Sequence, residues 1–208
     1  KTLEEPPRAS RLILISERPE QLLDTILSRC IRLDLAGENG AMPVSEAAQD
    51  LLSKLSEHAL EGREGISGAL GLMSAFSAIL KDEKAAIAAR HKADLKAESE
   101  IYRNATEGDY LKQREDYYEA LTQSEYLRER NRLIEYLVAW YGDAMRQKSG
   151  SSFLDLPDFS EGTERLAQSK SIDELGRRID AVEKLRSDLN TTVLEGLALE
   201  AGFIRAFA

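Results

Sequence analysis

The chain has 208 residues, 42% of them hydrophobic, and a formal net charge of -9, enough apolar matter for one large or two small packed domains. The acidic balance excludes a surface that grips phosphate all over, so contact with nucleic acid is expected through a small patch or another protein. The single cysteine, Cys30, excludes an intrachain disulfide and fits a reducing compartment. No apolar run reaches the roughly 20 residues of a membrane span, so no membrane association and a cytoplasmic location are expected.

Thr2 to Glu5 read as the end of a helix that Pro6 and Pro7 stop. Residues 11–16, with the run Leu12-Ile13-Leu14-Ile15-Ser16, have the length of a strand, and Ile31-Arg32-Leu33-Asp34-Leu35 alternates as a half-buried strand does. Between them Pro19 suits a first helical turn, and Leu22, Leu23, Ile26 and Leu27 follow at helical spacing. Strand, helix, strand is the tail of a parallel sheet. Residues 36–43, rich in Gly, Asn and Pro, mark a boundary.

Beyond that boundary the pattern is helical. Ser45 is a candidate N-cap for a helix whose apolar face is Ala47, Ala48, Leu51, Leu52, Leu55 and Leu60, ending at Gly62. A second helix follows from Ile66. Its Gly68 and Gly71 are read as allowing close helix packing, because no strand precedes them as a phosphate loop would require. Residues 81–121 mix both charge signs, contain no proline and only Gly108 as a glycine, and offer a thin stripe from Ala85 to Leu95. They predict one or two long solvated helices, read as a charged linker in preference to a partner-binding or nucleic-acid-tracking element.

In the last third, Leu127, Leu133, Ile134, Leu137, Val138, Trp140 and Tyr141 give a helix to about Lys148 a bulky apolar face, with Trp140 and Tyr141 read as core aromatics. A loop carrying Phe153, Leu154, Leu156 and Pro157 drops apolar anchors onto the bundle. Ile172, Leu175, Ile179, Val182, Leu185 and Leu189, then Val193, Leu194, Leu197, Leu199, Phe203, Ile204 and Phe207, complete three or four helices.

Conventional catalytic groupings are missing from the sequence. His58 and His91 lie on separate helical segments without a neighbouring cysteine or paired carboxylate, so they read as surface histidines and no metal is expected. Cys30 has no histidine near it and reads as a small buried residue beside the strand. No G-x-x-x-x-G-K-[ST] loop occurs, so this chain is not expected to bind or hydrolyse ATP.

Residues 1–35 resemble the second half of the AAA+ module of bacterial DNA polymerase III clamp-loader subunits of the delta-prime and gamma/tau type. Lys1-Thr2-Leu3-Glu4-Glu5-Pro6-Pro7 matches that family's helix end, and Pro19, Leu22, Thr25, Ile26, Ser28, Arg29 and Cys30 fall in register on its P-x-x-L-x-x-T-I-x-S-R-C segment. The resemblance implies that Arg29, supported by Ser28 and Cys30, is an arginine finger acting in trans on ATP and Mg²⁺ held by a neighbouring subunit. A guanidinium suits such a role, being permanently charged and offering a planar fork of donors to a transferring phosphoryl group. Without the motif, Arg29 would read as an ion-pair partner of Asp24 or Asp34. Ser16 stands where the family has its first sensor residue. The segment from Ile66 to Met73 is similar to the family's lid-domain turn, and that from Leu133 to Met145 resembles the first helix of its collar, with looser similarity in Asp188-Leu189-Asn190-Thr191-Thr192 and Leu197-Ala198-Leu199-Glu200.

The protein so implied is mainly α and nearest to delta-prime. Residues 1–40 would be a short α/β remnant of the AAA+ module, 41–123 a lid-like region with long charged helices, and 124–208 a helical collar for oligomerisation. Its nucleotide-binding half is expected upstream. The implied partners are the other clamp-loader subunits, the sliding clamp and, through the complex, primed DNA, within a DNA-directed DNA polymerase holoenzyme. No cofactor is expected in this chain, with ATP and Mg²⁺ in neighbouring subunits. A gamma-type ATPase whose nucleotide-binding half lies upstream, and a non-replicative helical adaptor, are the alternatives.

Overall fold

The computed structural model describes residues 13–16, 22–27, 30, 41–63, 65–102, 108–191 and 193–208. The chain divides into two units, 1–40 and 41–208. Among the described residues there are seven helices and no strand, so the fold is mainly α.

In the first unit, residues 13–16 form no ladder, and Ile13 and Ile15 are 85% and 90% exposed. This corrects the strand expected over 11–16. A strand exists only where a second backbone takes up its N–H and C=O groups in a ladder. The strand expected over 31–35 lies outside the described residues. The helix expected between them is a single turn, α1 (Asp24–Leu27), in which the N–H groups of Ile26 and Leu27 both donate to the Leu23 carbonyl, at 2.8 and 3.1 Å.

The second unit begins with α2 (Glu46–Leu60). Ser45 keeps an extended backbone and its hydroxyl accepts the Ala48 N–H at 3.3 Å, satisfying an otherwise orphaned donor of the first turn. Ala48, Leu51, Leu52, Leu55 and Ala59 are the buried face, and Gly62, at φ +63, turns the chain out after the last turn. A Cβ on Gly68 would sit 2.0 Å from the Arg63 carbonyl oxygen, so close approach does require glycine there. At Gly71 a Cβ would meet nothing within 4 Å, and packing does not account for that glycine.

Two long helices follow, α3 (Ile66–Tyr102) and α4 (Gly108–Lys148). They pair antiparallel: Lys84 lies over the Tyr126 ring, His91 meets Thr122, and Arg114 bonds Glu98. Their proximal halves carry Ala69, Leu72, Phe76, Ile79, Leu80 and Ile87 on one side and Leu133, Ile134, Leu137 and Trp140 on the other, all buried. Distal to His91 and Tyr126 no described side chain of either helix is buried, in keeping with the thin stripe of the sequence. The expected division at 123/124 falls inside α4, and helices on both sides of it share one core.

A 3-10 turn (Pro157–Phe159) leads into α5 (Ser160–Ser169), then α6 (Ile172–Leu189) and α7 (Glu195–Phe207). Nothing in the apolar pattern announces α5, because its buried residues are Gly162, Thr163 and Ala167. A Cβ on Gly162 would come within 2.5 Å of the Trp140 ring, so the helix fits only by being small on that side. Trp140 and Tyr141 are core aromatics, each 1% exposed. Phe76 and Phe203 lie 5.1 Å apart, Phe203 and Phe207 5.2 Å, and Tyr141 and Phe207 5.5 Å between ring centres, distances typical of favourable aromatic pairs.

Asp143 is fully buried and satisfied by the loop after α4. It accepts the N–H of Asp155 at 2.9 Å and of Leu156 at 2.8 Å, and Arg146 donates to it at 2.6 Å while also reaching the Asp155 carboxylate at 2.6 Å. Asp143→Ala would leave the buried Leu156 amide and the half-buried Asp155 amide without their acceptor and take one of its two carboxylates from Arg146. A loss of about 3 kcal/mol is expected from such a change, read by urea unfolding at neutral pH, with Asp143→Asn less damaging because it keeps one oxygen.

At the start of α6, Ser171 and Glu174 form a capping box: the Ser171 hydroxyl accepts the Glu174 N–H at 3.2 Å, and the Glu174 carboxylate accepts the Ser171 N–H at 2.8 Å. The backbone bond from Ser171, followed by its hydroxyl bond, holds the Glu174 carboxyl below the ordinary glutamate value. A depressed folded-state value stabilises above the unfolded value and is lost as pH falls through the folded one. Wild type should therefore exceed Glu174→Gln in stability at neutral pH, with the gap closing as pH drops below the ordinary glutamate range; thermal melts at a series of pH values report it.

Candidate functional site

The residue types that point to chemistry fall at the end of α1. Cys30 follows that turn, and its N–H donates to the Leu27 carbonyl at 3.4 Å. It is exposed, which corrects its expected burial beside a strand; no strand packs on it among the described residues. Ser28 and Arg29 lie outside the described residues, as does the ion pair of Arg29 with Asp34 considered above.

In the second unit the titratable groups serve packing. His91 is 4% exposed, which corrects the reading of it as a surface histidine. Its position on α3 faces α4, where Nδ1 lies 2.8 Å from the Thr122 hydroxyl and Nε2 3.5 Å from Glu125, which also pairs with Arg90. Because the Thr122 hydroxyl donates to the Tyr118 carbonyl at 2.7 Å, it accepts from Nδ1–H. His58 is half-buried, edge-on to Phe207 with ring centres 6.5 Å apart. Among the described residues no cluster of three or more His, Cys, Asp or Glu could hold a metal ion, and no described helix is long and apolar enough to cross a membrane.

A second polar junction ties α4 to α6 and α7. Arg130, 3% exposed, donates to the Glu195 carboxylate at 2.7 Å and to the Leu189 carbonyl at 2.8 Å, thereby serving the last turn of α6 and the first turn of α7 together. Tyr126 donates to the other Glu195 oxygen at 2.5 Å. Burial, then the Glu195 bond and charge, push the Tyr126 phenol well above its ordinary range. The junction fixes the start of α7, whose neighbouring Val193, Leu194 and Leu197 are 49%, 72% and 58% exposed.

Apolar periodicity and motif spacing pass over both junctions, although the sequence contains a signal for them. Arg130 precedes Leu133 and Ile134 by one helical turn, and Asp143 follows Trp140 by three positions. A charge on the apolar stripe of a helix is buried with partners or the helix does not pack.

Residues 1–39 match the family described as DNA polymerase III, delta subunit. No curated protein and no solved structure gives a significant match to the chain. The matched segment is the one that contains α1 and Cys30.

Arg130→Met should cost about 2 kcal/mol, because it leaves a helix-end carbonyl unpaired and takes the cation from the half-exposed Glu195, to which Tyr126 still donates. Chemical unfolding monitored by Trp140 fluorescence measures it. Arg130→Lys should recover only part, since one ammonium cannot span both partners.

Proposed function

We propose that this chain acts as a subunit of the DNA polymerase III clamp loader, nearest to delta-prime, helping to assemble the ATP-driven complex that places the sliding clamp on primed DNA. The observation that carries the reading is the delta-subunit family match over residues 1–39, with Ser28-Arg29-Cys30 inside it. In this reading residues 1–40 are the C-terminal part of an AAA+ core, and Arg29 presents its guanidinium to ATP and Mg²⁺ bound by the neighbouring subunit. Residues 41–123 form the lid-like region with its charged helices, and 124–208 supply the collar through which the subunits associate. The exposed apolar side chains at the start of α7 support an associating role for that end.

In the full-length protein assembled with its partners, Arg29→Ala should lower clamp- and DNA-stimulated ATP hydrolysis while stoichiometry and melting temperature stay as in wild type. Arginine fingers contribute roughly 10³ to 10⁵ in rate at a single site, and a loader with several sites will show less. Arg29→Lys should rescue little, because charge without the planar fork is insufficient. Wild-type turnover in an intact Arg29→Ala complex would reduce Arg29 to a local ion-pair partner.

A further inference from the structure

The carboxyl ends of α2, α5 and α7 meet around a cavity of about 50 Å³. Trp140, Tyr141 and Phe207, all nearly fully buried, line it together with Arg165, Lys170 and Arg178, and no Asp or Glu is among its lining residues. In a chain of net charge -9 that concentration of cations on an aromatic wall is unusual enough to ask what holds it.

Helix ends explain part of it. Each helix carboxyl end carries about half a negative charge, and cations beside it are favourable. Arg178 donates to the carbonyls of Ala206 and Ala208, at 2.5 and 3.1 Å, and so serves the end of α7. Lys148 donates to the Ala167 carbonyl at 2.6 Å and serves α5. Lys170 interacts with Glu174 at the start of α6. Arg165 is left over: it is exposed and makes no ion pair or hydrogen bond with a described residue. Its guanidinium keeps a full fork of donors for a carboxylate, beside the small cavity that Trp140, Tyr141 and Phe207 line.

We propose that the juxtaposition of Arg165 and Lys170 with the Trp140, Tyr141 and Phe207 wall is a binding site for a small carboxylate carrying an aromatic or apolar body. The carboxylate pairs with Arg165 at the rim, Lys170 adds charge, and one edge of the body seats in the mouth of the cavity that the aromatic side chains line. The volume admits only a few water-sized groups, so the ligand is held by its edge. The carboxylate could belong to a free aromatic acid or to the last residue of a peptide; both present the same chemistry.

The chain's one tryptophan lies in the wall, so its fluorescence reports occupancy directly. Titration with benzoate should give a saturable change, and N-acetylphenylalanine, standing in for a peptide terminus, tests the second source: whichever of the two binds more tightly identifies it. Arg165→Glu should weaken both at least about tenfold, the loss of a charge-assisted bond, with an unaltered melting temperature because Arg165 bonds nothing in the fold. Arg165→Gln serves as the milder variant if the reversed charge disturbs folding. Benzamide binding as well as benzoate does, a non-saturable response to both acids, or equal affinity in a folded Arg165 variant would overturn the proposal.

Discussion

The helical unit depends on a carboxylate that has no access to water. Asp143 gathers the amides of Asp155 and Leu156, and Arg146 closes the group by bridging Asp143 to Asp155. The loop so fixed then fixes something else: the Asp155 carbonyl accepts the Met42 N–H at 2.7 Å, and the Tyr136 hydroxyl holds the Pro43 carbonyl at 2.5 Å. The entry to α2 is thus set by a residue about a hundred positions further on. Leu156, drawn inward by the same bond, is 1% exposed and places the 3-10 turn from which α5 starts. A buried charge contributes little net stability when fully paired, but it strongly disfavours arrangements that leave it unpaired. Here that selects one loop conformation.

Arg130 does comparable work at the opposite side of α4. A helix that ends in the interior leaves carbonyls unsatisfied, and one that begins there leaves amides. By bonding the Leu189 carbonyl and the Glu195 carboxylate at once, Arg130 serves the last turn of α6 and fixes the first turn of α7 with one side chain. The α6–α7 turn can therefore be short and still be held against α4. Gly202 completes the fit, since a Cβ there would lie 2.7 Å from Leu185.

Where the sequence was a good guide, one residue type decided the local structure. Ser45 is a cap whose hydroxyl does what its position predicts, and the apolar spacing in α2 and α6 marks most of their buried faces, with Leu60 and Ile172 exposed at the helix ends. The apolar run at 13–16 was misleading because hydrophobicity without periodicity does not distinguish a strand from an exposed segment. α5 was illegible for the opposite reason: it packs through Gly162, Thr163 and Ala167, which carry no hydrophobic signature, and only Trp140 opposite explains why small residues are needed. His91 looked solvated because its neighbours in sequence are charged, yet the face it occupies belongs to the α3–α4 contact. The candidate finger is a case apart. Arg29 is singled out only by the motif around it, which no periodicity or packing rule replaces, and it lies outside the described residues.

The distribution of burial along α3 and α4 sets how this unit responds to thermal fluctuation. Up to His91 and Tyr126 the pair is welded to the core; farther out it is joined by exposed and half-exposed ion pairs, such as Arg114 with Glu98, at 2.8 Å. The stretch of α3 from 92 to 102 is shorter than the ~12–15 residues that an isolated helix needs to persist in water, and none of its described side chains is buried to compensate. Its backbone hydrogen bonds are the same kind as those of the inner half, but breaking them exposes almost nothing, whereas breaking the inner ones exposes Phe76 and Trp140. Amide exchange along a single helix will therefore divide into two cooperative units, with the outer one opening at a small fraction of the global unfolding energy.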